Sequence, residues 1–593
     1  MAACSGSEAA KDGGRADGKD SGGKDGGGAG GSTSSGSGGL SGSGGSIGSG
    51  GTATGGTGGA VDAGQTDSNG DIAADMASVD AASDGSFEQA DTSSGETTSG
   101  DAITGGDGAI DTVTDSGDAG GSSVDYSMLE RNGDPARTGQ FIRPLLTKAN
   151  AMTMTADTAF NPRFQGNLWN VPLYLQNGPN NKGAFYVATQ DNLVYALDET
   201  TGAEVWHGSA GPVAQGSPCG NSYLAVGVFS TPIIDAASRT LFVAAANGPT
   251  AIQSFQVHAF NVDTGAERTG WPVDVAQVIS DFLPAKQNQR TALALVKGIL
   301  YVAFGGHAGD CGVYRGRVLA IDISDPSKNG NWETTGLGEA IWGAGGMASD
   351  GDGVFALTGN GDVGLTAHLD SEEVVHLTGL AVLNRTDQNI FYPARWGAMD
   401  AMDLDMGCNA PALFGVPGAT PAKYLVAPAK DGHLYFLDPT NLGGAGGELS
   451  DLVFAQESMS ARTSPTAYMT TKGMFVALST GAAHCPAGGP TGTVVMGVQV
   501  GVTAGAITPT ISWCAALSGD VTVPISTTSD GTHDALVWYN NGGSLTAVDG
   551  ETGAAVFSGA SGCASQRFTS PIVGGAGRIV LGAEGKLCSF SVR

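Results

Sequence analysis

The chain has 593 residues, 97 of them glycine, and a formal net charge of −30. That acidity argues against nucleic acid or an anionic membrane surface as a partner, and the length suits about three average domains or one large repeat array. Residues 1–125 hold 35 of the glycines, 20 acidic and four basic residues, and Phe87 as their one aromatic, whereas all eight Trp and seven of the eight Cys lie beyond them.

Taken in chain order, the first element is therefore a tether. A Gly/Ser/Asp tract with so few apolar groups cannot offset the entropy of ordering it, so residues 1–125 are expected to be disordered. Its opening Ala-Ala-Cys4 looks like the end of a bacterial lipobox, which would make Cys4 a lipidated anchor and the tract a surface tether. No apolar run approaches the roughly 20 residues of a transmembrane helix.

From Tyr126 the texture changes to short β-rich runs punctuated by Gly, Asp and Asn. The clearest unit, Phe185–Trp206, reads as strand, tight turn, strand, Asp198-Glu-Thr-Thr-Gly202 turn, strand. It returns from Leu241, Leu300, Tyr424 and Ala535, with weaker copies from Val354, Met474 and Arg578, which makes eight. A small residue and Pro precede most copies, as at Pro172, Pro232, Pro411, Pro465, Pro524 and Pro571; Pro lacks a ladder donor and belongs at a strand start, edge or bulge. About 50–65 residues separate these markers, room for the four antiparallel strands of a propeller blade. The expectation is an all-β, eight-bladed β-propeller over residues 126–593. The last unit is one strand short, and the stretch near Thr138–Leu146 is expected to supply its outer strand and so close the ring.

The unit Tyr-Val-Ala, Leu-x-Tyr-Ala-Leu-Asp, Thr-Gly and Trp resembles the repeat of pyrroloquinoline quinone (PQQ) type propellers, the quinoprotein alcohol dehydrogenase-like group. Phe304–Arg317, Gly343–Gly346 with Thr358-Gly-Asn360, and Lys430-Asp-Gly432 look like an uncharacterised bacterial branch of it. The resemblance implies one of two things: a scaffold, as in outer-membrane assembly lipoproteins, or a PQQ-dependent dehydrogenase oxidising an alcohol or sugar. A dehydrogenase would need a calcium ion held by carboxylate and amide oxygens beside the quinone, a carboxylate base and a Trp against the ring. The candidates are Asp403 and Asp405 as catalytic carboxylates, Asn409 as metal ligand and Trp342 as the stacking surface. Two further expected features, a vicinal Cys-Cys pair and a Cys-x-x-Cys-His haem site, are missing from the sequence, so no haem is expected.

Arg290, Arg462 and Arg567 fall on expected inner strands, where they would bind the cofactor or, without one, form a site for a small anionic ligand. Cys485 with Cys514, Cys563 with Cys588 and Cys219 with Cys311 are the expected disulfides, leaving Cys408 unpaired; such pairs suit an oxidising compartment. The sequence thus suggests an exported or envelope propeller, bound to the membrane only through its lipid anchor. It would present a binding face to a protein, glycan or small anion, with the PQQ and calcium dehydrogenase as the alternative.

Overall fold

Pro172, Pro232, Pro411, Pro465, Pro524 and Pro571 each stand one residue ahead of a short, almost wholly buried strand. A ring lacking an N–H donor is tolerated at a strand start and marks where pairing begins. The computed structural model describes residues 124–592 apart from 217–224, 308–311, 362–365, 458–462, 520 and 565–567. Cys4 and nearly all of the expected tether lie outside the described residues, as do Cys219, Cys311, Arg462 and Arg567.

Each marker opens one sheet of an eight-bladed β-propeller. Blade 1 runs Leu173–Leu175, Ala184–Ala188, Leu193–Asp198 and Glu204–Ser209, each strand antiparallel to the next. Blade 2 begins at Ile233–Asp235, and the innermost strands of blades 3 to 8 are Ala294–Val296, Ala348–Ser349, Ala412–Gly415, Thr466–Thr470, Ile525–Thr528 and Ile572–Gly574.

The repeat's own residues explain how blades pack. In the Asp-x-x-Thr-Gly turn, Asp198 Oδ1 accepts from the Thr201 amide and hydroxyl, both at 2.8 Å, and Gly202 takes φ +75°. Asn261 and Asp549 fold the same turn in blades 2 and 7. The repeat Trp docks on the next blade's turn: Trp206 Nε1 donates to Val262 O at 2.9 Å and Trp513 Nε1 to Gly550 O at 3.0 Å. Their rings lie where a Cβ on Gly265 or Gly553 would stand, so the turn glycine is required by its backbone and by its neighbour alike. The Tyr of Tyr-Val-Ala adds a second joint, Tyr186 to Val262 O and Tyr301 to Gly379 O, and in blade 6 Tyr468 of the innermost strand makes the corresponding bond to Gly550 O. Buried aromatic area thus carries a satisfied polar group from blade to blade.

Closure differs from the sequence expectation. The outer strand of blade 8 is Thr155–Ala156, paired antiparallel to Lys586–Ser591. Within the Thr138–Leu146 stretch expected to play that part, Gln140–Ile142 instead lies parallel to the innermost strand of blade 7, on its axial side. Phe141 explains the difference: it is 5% exposed and belongs to the apolar core shared with Trp538 and Ile572, whereas an outermost strand faces water.

Candidate functional site

Gln140–Ile142 is the end of a longer feature, because the whole segment from Met128 to Arg143 winds around the propeller axis. Met128 exchanges two backbone bonds with Tyr174 in blade 1, at 2.7 and 2.9 Å, and Leu129 O accepts from Ile234 N in blade 2. Pro135 O accepts from Ser349 N in blade 4, Ala136 O from Leu413 N in blade 5, Thr138 O from Ala467 N in blade 6 and Gly139 O from Ser526 N in blade 7. Side chains reach the rest: Arg137 Nη2 donates to Leu293 O in blade 3 at 2.8 Å, and Arg131 Nη2 to Phe568 O at the entry to blade 8 at 2.8 Å. One stretch of chain therefore satisfies axial backbone groups of all eight blades, which a propeller otherwise leaves to water. Left-handed residues let it coil so tightly: Asn132 at φ 58°, Arg137 at φ 61° and Gly139 at φ +68°. Arg137 is fully buried and paired to Glu130 at 2.7 Å; burial pushes the Glu130 carboxyl up to about 7 despite that partner.

Residues leading into the innermost strands of blades 4 and 5 form a second cluster. Trp342 is 4% exposed and packs with Tyr314, Ala340 and Cys408. A Cβ on Gly359 would lie 3.5 Å from the Trp342 ring and 3.1 Å from Asp405 Oδ1, so the indole and this carboxylate flank the same backbone. Asp405 is fully buried; its Oδ1 accepts from Asn360 N at 3.1 Å and its Oδ2 from Lys430 Nζ at 2.5 Å. Lys430 also donates to Asp403 Oδ1 at 3.0 Å. Asp403 caps the C-terminus of the helix Trp396–Met402 at φ 58°, which turns it back toward Lys430. Burial, with the Asp405 charge beside it, raises its carboxyl to about 6 although Lys430 opposes the shift. Behind Asp405, Glu372 is fully buried, accepts from Met406 N at 2.6 Å, and is held well above the carboxylate range by burial and by Asp405.

The structure thus brings together Trp342, Asp403 and Asp405 of the expected site and adds Lys430, Asn360 and Glu372. Asn409 is spent elsewhere: its Oδ1 accepts from Thr463 N at 2.9 Å and its Nδ2 reaches Cys408 Sγ at 3.5 Å. Arg290 donates Nε to Trp342 O at 2.9 Å and sets its guanidinium 5.0 Å above the Phe568 ring. Cys485–Cys514 and Cys563–Cys588 are disulfides as expected, and Cys408 is buried and unbridged. These bonds fit an oxidising compartment.

Comparison with known proteins agrees with the propeller fold. A PQQ-repeat family, described as outer membrane protein assembly factor BamB, matches residues 158–374. That match marks a PQQ-type repeat within the propeller. No curated protein matches it. Among solved structures, the chain is similar to a quinohemoprotein alcohol dehydrogenase from Comamonas testosteroni, at TM-score 0.52 and 14% identity over 79% of this chain and 80% of that one. A europium-containing methanol dehydrogenase gives TM-score 0.52 and 15% identity over 79% and 98% of the two chains. A quinohemoprotein alcohol dehydrogenase from Pseudomonas putida HK5 gives 0.54 and 14% over 79% and 80%. At such identities the likeness shows the propeller fold and leaves its activity to the site.

Proposed function

We propose that this propeller is a binding module rather than a redox enzyme, carried on its Gly/Ser/Asp tract and anchored in the cell envelope through Cys4. The observation that carries this reading is the state of Trp342. Its indole is covered by the protein's own Tyr314 and Cys408, leaving 4% exposed where a stacking surface for a quinone would be open. The residues also fit a catalytic calcium poorly. Both Asp405 oxygens are committed, to Asn360 N and Lys430, and the Asn409 oxygen to a backbone amide. Among the described residues no three His, Cys, Asp or Glu side chains are placed to share one metal ion. What remains is a rigid ring whose mouth offers Arg290 and Asp403 to a protein, glycan or small anionic partner.

The dehydrogenase reading stays second because Asp403, partly exposed and raised to about 6 as a proton acceptor would be, shares Lys430 with the Asp405 that flanks Trp342. One titration separates the two. Purified protein at micromolar concentration is mixed with PQQ and Ca²⁺, and bound quinone is followed by absorbance together with dye-linked alcohol oxidation. The expected outcome is no stoichiometric binding and no dye reduction. One quinone held per chain would overturn the binding-module reading. The anchor is checked apart from this, by mass spectrometry of the mature N-terminus for a diacylglyceryl group on Cys4.

A further inference from the structure

Arg131 lies in the axial segment and is fully buried. A buried guanidinium ordinarily has its five N–H groups occupied and a counter-charge close by. This one donates Nη2 to Phe568 O at 2.8 Å, while Nε and Nη1 have no hydrogen-bond partner in the protein. The nearest carboxylate of the segment, Glu130, is already paired to Arg137 at 2.7 Å, and Arg137 adds a second positive charge. Burial and the Arg137 charge lower the Arg131 pKa to about 9, which still leaves it cationic at neutral pH.

Other buried groups without partners lie close to the strand starts. The hydroxyls of Ser230, Ser464, Thr522 and Ser570 are buried without partners, and each belongs to the one or two residues preceding the Pro that opens an innermost strand, in blades 2, 6, 7 and 8. Ser570 is two residues from the Phe568 carbonyl that Arg131 holds. Hydroxyls left unpaired in a polar interior are satisfied by a small guest. Water alone can satisfy hydroxyls, but it does not compensate a buried positive charge.

We infer that the propeller axis binds one small monovalent anion of halide or nitrate size, held by the unpaired Nε and Nη1 of Arg131. Arg131 is fully buried between Glu130, paired to Arg137, and the Phe568 carbonyl, so a guest at its free N–H groups is small and enclosed by protein. The site centres on Arg131 rather than on Trp342, although Arg290 reaches toward both through Phe568, and the bromide position tells the two apart.

The probes are chloride and bromide. Full-length protein is dialysed into gluconate, and its Tm is followed as halide replaces gluconate at constant ionic strength. A ligand that binds only the folded state raises Tm with concentration. The expected result is a saturable rise of several degrees in the wild type that is absent in Arg131→Met, with an anomalous bromide peak within about 3.5 Å of Arg131 in soaked crystals. Equal Tm in halide and gluconate, with no bromide peak at Arg131, would overturn the inference and leave ordered water alone on the axis. Should Arg131→Met fail to fold, the wild-type halide response and the location of the bromide peak decide the matter without it.

Discussion

Lys430 is buried with two carboxylates on it, Asp405 at 2.5 Å and Asp403 at 3.0 Å. Removing one partner of such a group strands the other, so Lys430→Met should cost about 3–5 kcal/mol in urea unfolding. A variant as stable as wild type would show that the pair is not ionised in the folded protein. Gly265 makes a sharper case at the same scale. It sits at φ +70° with a Cβ position 2.5 Å from the Trp206 ring. Gly265→Ala combines backbone strain with a clash and should cost about 3 kcal/mol or more, loosening the joint between blades 1 and 2. The Trp of the repeat was legible because it recurs at a fixed distance from Thr-Gly. Lys430 was not assigned a role, because sequence spacing does not say which turn of one blade falls against which loop of the next. Arg131 and Arg137 were hidden for a similar reason, since their partners lie up to 437 residues away.

At the scale of elements, the strand edges and turns followed the apolar alternation closely, and the Pro markers located six innermost strands to the residue. The closing strand escaped, because two residues, Thr155–Ala156, are enough to pair Lys586–Ser591 and carry no pattern of their own. Blade 8 is therefore held by a short strand, by Cys563–Cys588, and by the ion pair of Arg578 with Asp157 at 3.0 Å. The disulfide closes a sequence separation of 25 residues, for which chain-entropy reasoning gives roughly 3 kcal/mol. Cys588→Ser should lower stability by about that amount and expose the last blade first, seen as early proteolysis after Gly574. Unchanged cleavage kinetics would mean that the short strand closes the ring unaided.

For the molecule as a whole, several carboxyls titrate high in the folded state. Burial lifts Glu130 and Glu339 to about 7, and Asp403 to about 6 with the help of Asp405. A carboxyl whose folded pKa exceeds its unfolded value binds more protons when folded. Its contribution to stability is therefore lost as pH rises from about 4.5 through the folded pKa. The Tm should accordingly increase when pH is lowered from 8 to 5.5, and Glu339→Gln should flatten part of that slope. Asp350 at about 2 weakens the fold only under much more acidic conditions, whereas buried His307, held down to about 4, opposes the rise below about pH 6.5 and leaves the carboxyls the larger sum. A Tm that falls steadily over the same interval would show that these carboxyls are ionised in the fold.

The central claim is that the chain fills its own axis and ties eight blades into one rigid ring. Hydrogen exchange measures this directly, comparing the amides of Met128–Arg143 and of Ile234, Leu413, Ala467 and Ser526 in the presence and absence of PQQ with Ca²⁺. The expected result is protection equal to that of the innermost strands and unaltered by the quinone. Fast exchange in Met128–Arg143, or protection that changes when quinone is added, would contradict the account and make the segment a movable gate.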